Sequence, residues 1–248
     1  MSNIMESLST AQPADIPGIT HHALLFGLIA QEILLKVGEE KGGKALRKAV
    51  RRYAEQRGKR MADRASRWGY RPDTFAFLVF GEWQAMPGEV EVQATNGSEG
   101  YTIQVIQCPW YAAWQANNLE NAGKYYCMEV DESLARGFNP EVKLETRHIR
   151  PLEGIACEFV YHDVYLKGIH RWRYQFAKRF YPGKHAVMPW EYHLGHLYKT
   201  IREILIEEAG EEAESAVQTS LDQFSARFGK DLTQKIIDYQ ETDFNRLP

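Results

Sequence analysis

The segment EVEVQATNGSEGYTIQVIQ, residues 89–107, decides the class of fold. Polar and apolar residues alternate in EVEVQAT and in YTIQVIQ, and the turn-forming residues NGSEG lie between them. Alternation with a period of two on both sides of such a turn predicts a β-hairpin. A second hairpin is predicted around PLEG, in VKLETRHI and IACEFVYH (residues 142–149 and 155–162), and TFAFLVF (residues 74–80) predicts one more strand.

Helical periodicity predicts helices on both sides of these strands. The predicted helices cover residues 21–37, about 44–68, and 190 to the end, with Gly42 and Gly43 as one break and further breaks near Gly210 and Gly229. Helices, then antiparallel strands, then helices indicate an α+β fold with a sheet of four or five strands packed against N-terminal and C-terminal helices. We expect one domain over residues 19–248, after a flexible tail over residues 1–18.

Composition narrows the classes of function. The chain has 248 residues, 44% of them hydrophobic, and a formal net charge of −3, so it has no general attraction to nucleic acid or to a membrane surface. The N-terminal residues show no secretion signal, and no apolar run is long enough to span a bilayer. Three cysteines cannot form a full set of disulfides, which favours reduced thiols and a cytoplasmic protein.

Four residues of metal-ligand type are predicted to meet at the second hairpin. Cys127, Glu145, His148 and Cys157 combine two thiols, an imidazole and a carboxylate, a donor set that suits one zinc or another divalent metal ion. Their spacing is not a standard zinc motif. The alternative is that the cysteines are buried small side chains and that Glu145 and His148 form a solvated pair.

Cys108 precedes Pro109, at the predicted junction of a strand and a helix. A thiolate there would feel the positive end of the helix dipole, and His162 and Asp131 are the residue types that would complete a Cys-His-acid arrangement. A cysteine packed in the core is the alternative. The sequence alone gives no distances among these three side chains.

Arginines form a stripe on the second predicted helix. Arg57, Arg60 and Arg64 stand at i, i+3 and i+7, and planar guanidinium groups suit the bidentate binding of a substrate carboxylate. The alternative is a solvated basic face.

HRWRYQFAKRFYPGKH, residues 170–185, interleaves basic and aromatic residues, which favours a lid or an amphipathic edge over a nucleic-acid site because an acidic run follows it.

The chain resembles the L-2-amino-thiazoline-4-carboxylic acid hydrolase family over residues 21 to about 162. The resemblance is carried by HHALLFGL, YAEQRGKRMADRA, FGEW, CPW, YYCMEVDESLARGFNP and CEFVYH. It implies a hydrolase that adds water across a carbon–nitrogen bond of a small carboxylated heterocycle, as in the conversion of an amino-thiazoline carboxylate to an N-carbamoyl cysteine.

Such a reaction needs an activated water or thiolate, a group that protonates the leaving nitrogen, and a cation that holds the carboxylate. We assign catalysis to Cys108, Asp131, His162 and Glu82. Substrate binding is assigned to Arg57, Arg60, His22, Trp110 and Asn139. A small-molecule carboxylate is thus the expected partner, with no nucleotide or organic cofactor, and the long C-terminal helices are compatible with a homodimer.

The sequence is more distantly similar to the 4-vinyl reductase type of small-molecule-binding domain. That resemblance implies a structural zinc held by Cys127, Glu145, His148 and Cys157, with His148 in place of the pattern's cysteine. It supports an alternative function, a binding or sensor domain without turnover. The chain has no DNA-binding helix pair or ATPase module to act as an output, which favours the enzyme.

Overall fold

The computed structural model describes residues 16–162, 164–180 and 182–248, so most of the expected N-terminal tail lies outside the described residues. Two long helices come first, α1 (Ile19–Val37) and α2 (Glu39–Arg67), and Gly38 turns the chain between them at a φ of 89°. Gly42 and Gly43 do not break the helix as predicted, but lie buried inside α2. Their missing side chains leave room for Ile33 and Tyr125, which pack directly against them.

The predicted hairpins are confirmed. One is formed by β1 (Glu91–Asn96) and β2 (Gly100–Gln107), and the other by β3 (Leu144–His148) and β4 (Cys157–His162). All pairings are antiparallel and the strand order is β1-β2-β4-β3. The sheet joins the hairpins through β2 and β4, where Ile103 lies opposite Phe159.

The predicted strand TFAFLVF is wrong, because its first six residues form helix α3 (Thr74–Val79). The Asp73 carboxylate accepts a hydrogen bond from the Ala76 amide (3.0 Å) and so caps the first turn. Phe77 and Leu78 are buried on this short helix. Packing around a capped turn therefore overrides the β-propensity of its aromatic and branched residues.

Short helices connect and flank the strands, and long helices close the chain. They are α4 (Pro109–Gln115), α5 (Glu120–Cys127), α6 (Val130–Phe138), α7 (Arg150–Glu153), α8 (Gly168–Arg179), α9 (Trp190–Phe228) and α10 (Lys230–Ile237). Gly210 kinks α9 at a φ of 61°, and Gly229 separates α9 from α10 at a φ of 91°. Both predicted breaks are thus confirmed, as is the α+β class.

The buried side chains form two hydrophobic clusters. The larger lies among α1, α2, α5 and α9 and includes Leu24, Tyr53 and Ile201. The smaller lies beside the sheet, where Phe77 and Tyr161 meet at 6.1 Å between ring centroids. None of the helices in the described ranges combines the length and the apolar composition needed to cross a bilayer.

Helices α2 and α6 touch through their backbones. A Cβ added to Gly58 would lie 2.2 Å from the Leu134 carbonyl oxygen, and one added to Gly137 would lie 2.4 Å from the Glu55 carbonyl oxygen. Glycine at both positions therefore sets how closely the two helices approach. This crossing fixes the position of Asp131 on α6 relative to Arg57 on α2.

Candidate active site

A buried carboxylate lies among the three arginines of the α2 stripe. Glu82 is fully buried and contacts Arg60 (2.8 Å), Arg64 (3.2 Å) and Arg57 (3.6 Å). Burial alone would raise the pKa of Glu82, but Arg60 and Arg57 outweigh it and lower the pKa to about 2. Glu82 therefore stays ionised near neutral pH, which suits a counter-ion and not the catalytic residue that the sequence predicted.

Arg60 is occupied by the protein itself. Its Nε and Nη2 donate to the two oxygens of Glu82 (3.0 and 2.8 Å), Nη1 donates to the Phe244 carbonyl oxygen, and Nη2 lies 3.2 Å from His196 Nδ1. The side chain is fully buried. The prediction that Arg60 holds a substrate carboxylate is not supported by this geometry, because its guanidinium donors already have partners.

Arg57 differs from Arg60. It is only 3% exposed, and its Nε makes no hydrogen bond to a described residue but lies 3.6 Å from Glu82 Oε2. The guanidinium carbon lies 5.6 Å from the centre of the Tyr53 ring. Three buried arginines face the single carboxylate of Glu82, so this centre carries surplus positive charge and an unused donor, which is what an anionic ligand requires.

His193 adds an unused acceptor to the same centre. Its Nε2 donates to the Glu82 carbonyl oxygen (3.0 Å), which leaves Nδ1 unprotonated, and Nδ1 has no partner among the described residues. Burial and the charge of Arg57 lower the pKa of His193 to about 3, against the opposing effect of Glu82. A neutral His193 thus offers one bare nitrogen in the buried centre that contains Glu82 and Arg57.

Asp131 lies in the first turn of α6 and is half-buried. Burial raises the pKa of Asp131 to about 6, although the positive charge of Arg57 acts in the opposite direction. Arg57 and Asp131 therefore interact electrostatically. A carboxyl group with a pKa close to neutral pH is suited to accept and return a proton.

Asp131 interacts electrostatically with three thiols and two phenols. Its negative charge contributes to raising the pKa values of five groups, namely Cys108, Cys127, Cys157, Tyr126 and Tyr161. Desolvation by burial is the largest cause in each case. All five groups therefore remain protonated and neutral at neutral pH, and Asp131 is the titrating member of the cluster.

Cys108 is the N-terminal cap of α4, as predicted, but it is not activated there. The amides of Tyr111 and Trp110 lower the pKa of its thiol, whereas burial, which is the larger effect, raises it. The predicted stabilisation of a thiolate by the helix terminus is therefore outweighed. A helix of seven residues in an interior position does not compensate for the lost hydration of the thiolate.

His162 does not join Cys108 and Asp131. Its Nε2 lies 2.9 Å from Glu145 Oε2, and both side chains are partly exposed. Side chains alternate along β4, so His162 lies on the face opposite to Cys157 and Tyr161, which interact with Asp131. The predicted Cys-His-acid arrangement is thus not formed.

The predicted metal ligands are also not brought together. Glu145 pairs with His162 and Arg147, and His148 Nδ1 lies 2.7 Å from Glu153 Oε2. Cys127 and Cys157 instead lie in the cluster around Asp131. Within residues 16–162, 164–180 and 182–248, no group of three or more His, Cys, Asp or Glu side chains could hold a metal ion. The donor set therefore does not fit a metal centre.

His22 and Trp110 form part of an aromatic wall beside Arg57. Trp110 Nε1 donates a hydrogen bond to His22 Nδ1 (3.1 Å), so Nδ1 carries no proton. The proton of the neutral ring is therefore on Nε2, which lies 2.9 Å from the Tyr53 hydroxyl oxygen. Burial, followed by the charge of Arg57, holds the pKa of His22 well below its usual value. The ring of Tyr126 lies 5.6 Å from His22. These uncharged rings exclude water from the region.

Asn139, predicted to bind substrate, has a structural role. Its Nδ2 donates to the Pro72 carbonyl oxygen (2.7 Å), and its Oδ1 accepts from the Glu141 amide (3.0 Å). The sequence interpretation missed Tyr53 and Tyr126, and it considered His193 only as a weak candidate for a metal ligand together with His196. Tyr53 had a usable signal, because it stands four residues before Arg57 on the same face of α2.

Comparison with known proteins supports the assignment to a family. The family model described as L-2-amino-thiazoline-4-carboxylic acid hydrolase matches residues 19–161, more than half of the chain. The match includes Arg57, Glu82, Cys108 and Asp131. No curated protein and no solved structure matches the chain significantly.

Proposed function

Because the chain belongs to the L-2-amino-thiazoline-4-carboxylic acid hydrolase family, we propose that it opens a small carboxylated heterocycle by adding water to an amidine-type carbon. One observation carries this proposal. A buried arginine whose Nε makes no hydrogen bond, Arg57, acts electrostatically on Asp131, a carboxyl group whose pKa is about 6. The first is suited to hold an anion, and the second to move a proton.

In the proposed complex, Arg57 binds the substrate carboxylate. Arg60 is occupied by Glu82, Phe244 and His196, so Arg57 carries the surplus positive charge that a ligand can neutralise. His193 Nδ1 accepts a hydrogen bond from an N–H group of the same ligand. A ligand with one carboxylate and one nearby N–H group would thus satisfy two buried atoms that otherwise lack partners.

Asp131 is proposed as the general base. Ionised Asp131 takes one proton from water as the water oxygen attacks the amidine carbon of the protonated heterocycle. In a thiazoline that yields an N-carbamoyl product, the hydroxyl of the adduct then becomes a carbonyl and loses its proton to solvent, and the carbon–sulfur bond breaks. The proton held by Asp131 passes to sulfur. The leaving atom is thus sulfur and not nitrogen, which corrects the expectation from sequence.

Turnover of a panel of substrates tests the proposal. The purified chain is incubated with thiazoline, hydantoin and dihydropyrimidine carboxylates, and products are separated and identified, with released thiol measured for the thiazoline. We expect hydrolysis of at least the amino-thiazoline carboxylate. Tight binding without product across the panel would contradict the proposed enzymatic activity and favour a sensor domain. The structural zinc expected for such a domain has no group of ligands among the described residues.

The role of Arg57 is tested with the same substrate. Replacing Arg57 with Lys removes the planar guanidinium and is expected to raise KM about tenfold or more. Replacing exposed Arg67 with Lys, on the same helix, is the matched control and should change nothing. Equal effects of Arg57→Lys on the carboxylate substrate and on its carboxamide analogue would contradict direct binding of the carboxylate.

A further inference from the structure

Helix α8 carries a row of apolar side chains on its outer surface. Ile169, Trp172, Phe176 and Phe180, here called the α8 stripe, follow one another at intervals of three, four and four residues and are 50% to 64% exposed. At 100° per residue these positions fall on one side of the helix. Trp172 stacks on Phe176 at 5.5 Å, and Phe176 lies 5.5 Å from Phe180, so the rings form a continuous surface.

The residues that the structure describes leave this surface exposed. Helix α8 packs inward through Ala177, which is buried, and through Tyr174, whose ring lies 6.4 Å from that of Phe75. Among the described residues, every aromatic side chain in the exposed class lies in this one segment: Tyr165, Trp172, Phe176 and Phe180. Such a concentration of exposed apolar side chains marks an interaction surface.

The charged side chains in the segment that carries the stripe have a single sign. Residues 164–189 contain six Lys or Arg residues and no Asp or Glu, in a chain whose formal net charge is −3. All six cations are exposed. Helical geometry places Arg173 on one border of the stripe and Arg179 on the other, and the Arg179 guanidinium lies 5.5 Å from the centre of the Phe180 ring.

We propose that the α8 stripe docks on the surface of an anionic lipid bilayer. An amphipathic helix with Trp and Phe on one side and flanking cations lies in the plane of the headgroups, with its rings below them. The cations are attracted to acidic lipid headgroups, and the attraction weakens with salt. This proposal departs from the sequence-based expectation that the chain has no membrane partner.

A second copy of the chain fits the surface less well than lipid does. Two stripes in contact would bring the cations of both copies together without any carboxylate between them, and like charges at short distance repel. In the acidic part of α9, residues 207–214, three of the five carboxylates already pair with cations of the same chain. Glu207 and Glu208 contact Lys48, and Glu214 contacts Arg202.

Vesicle binding tests the proposal. The full chain is sedimented with large vesicles of phosphatidylcholine alone or of phosphatidylcholine mixed equally with phosphatidylglycerol. We expect binding to the mixed vesicles only, a blue shift of tryptophan fluorescence that Trp172→Phe reduces, and release at high salt. Replacing Trp172, Phe176 and Phe180 with Ser is expected to weaken binding about tenfold or more.

Matched variants separate the apolar contribution to vesicle binding from the electrostatic one. Leu35→Ser removes an exposed apolar side chain on α1, where Leu35 is 73% exposed, and should leave binding unchanged. Replacing Arg171, Arg173 and Arg179 with Gln should weaken binding, whereas replacing three exposed lysines of α2 (Lys41, Lys44 and Lys59) with Gln should have a smaller effect.

Three results would overturn the proposal. The first is a wild-type chain that fails to bind the mixed vesicles at low salt. The second is a serine variant of the stripe that binds them as the wild type does. The third is a dimer, detected by light scattering without lipid, that the serine substitutions dissociate, since this would assign the stripe to a second copy. Circular dichroism of each variant verifies that it is folded.

Discussion

At the scale of single residues, Asp131 combines a functional property with a cost in stability. Burial raises its pKa from 3.8 to about 6, so the ionised form is less favourable in the folded chain than in the unfolded chain. The difference of about two units corresponds to about 3 kcal/mol. This cost is absent below pH 4, develops between about pH 4 and pH 6, and is complete above it.

Replacing Asp131 with Asn should therefore stabilise the protein at high pH. We expect the free energy of unfolding of Asp131→Asn to exceed that of the wild type by about 1–3 kcal/mol at pH 8 and to approach it at pH 4. Urea titrations at both pH values measure this difference. A variant that is less stable than the wild type at pH 8 would show that the Asp131 carboxylate is well solvated or paired.

Cys108 gives a second prediction at this scale. Because burial keeps its thiol protonated, we expect Cys108→Ser to retain turnover within about threefold of the wild type. Turnover of the thiazoline by both proteins at pH 8 measures this. Complete loss of activity in a folded Cys108→Ser protein would favour the covalent route through a thiolate over the attack of water.

At the scale of helices and strands, the sequence predicts periodicity better than it predicts packing. Both hairpins and the breaks at Gly210 and Gly229 follow from alternation and from glycine. Helix α3 was predicted as a strand because only the apolar run was considered. The residue that caps the helix, Asp73, comes directly before that run. Gly42 and Gly43 were misread because a glycine that breaks a helix and a glycine that admits a neighbouring helix look the same in sequence.

The site was predicted only in part, because a sequence shows local patterns and does not show which side chains meet in the fold. The arginine stripe on α2 is a local pattern, and so the sequence identified Arg57 and Arg60 together. Only the fold shows that Glu82 accepts two hydrogen bonds from Arg60, whereas Arg57 Nε lies 3.6 Å from the same carboxylate and makes no hydrogen bond. The predicted ligands Glu145 and His148 depended on side-chain direction at a hairpin that contains a register shift, which a sequence does not reveal.

The crossing of α2 and α6 can be tested directly. A methyl group at Gly137 would meet the Glu55 backbone, so Gly137→Ala should push α6 away from α2 and move Asp131 relative to Arg57. We expect a loss of about 1–3 kcal/mol in unfolding free energy and a fall in kcat. Gly97→Ala, which adds a methyl group in open space, is the control. Unchanged kcat in a destabilised Gly137→Ala protein would show that the crossing of α2 and α6 does not position the catalytic residues.

At the scale of the whole molecule, the family match ends at residue 161 but the site does not. Helix α9 supplies His193, which contacts Glu82, and His196, which contacts Arg60. Phe244, near the C-terminus, accepts a hydrogen bond from Arg60. The buried charges of α2 therefore tie the C-terminal helices to the part of the chain that the family model covers.

This arrangement favours unfolding as a single unit, in line with the prediction of one domain. We expect far-ultraviolet circular dichroism and tryptophan fluorescence to report the same midpoint in urea, because neither hydrophobic cluster can separate without exposing the arginines around Glu82. Two separate midpoints would contradict this and would indicate that the cluster beside the sheet unfolds independently of the helices.

The central claim is that Asp131, whose pKa responds to the charge of Arg57, is the base that activates water. The most direct test is kcat/KM for the amino-thiazoline carboxylate as a function of pH, in the wild type and in Asp131→Asn, with surface Asp222→Asn as the control. We predict that wild-type kcat/KM rises with pH to a plateau above an apparent pKa of about 6 and that Asp131→Asn lowers the plateau about 100-fold to 10,000-fold. A folded Asp131→Asn protein with wild-type activity and an unchanged pH profile would contradict the claim.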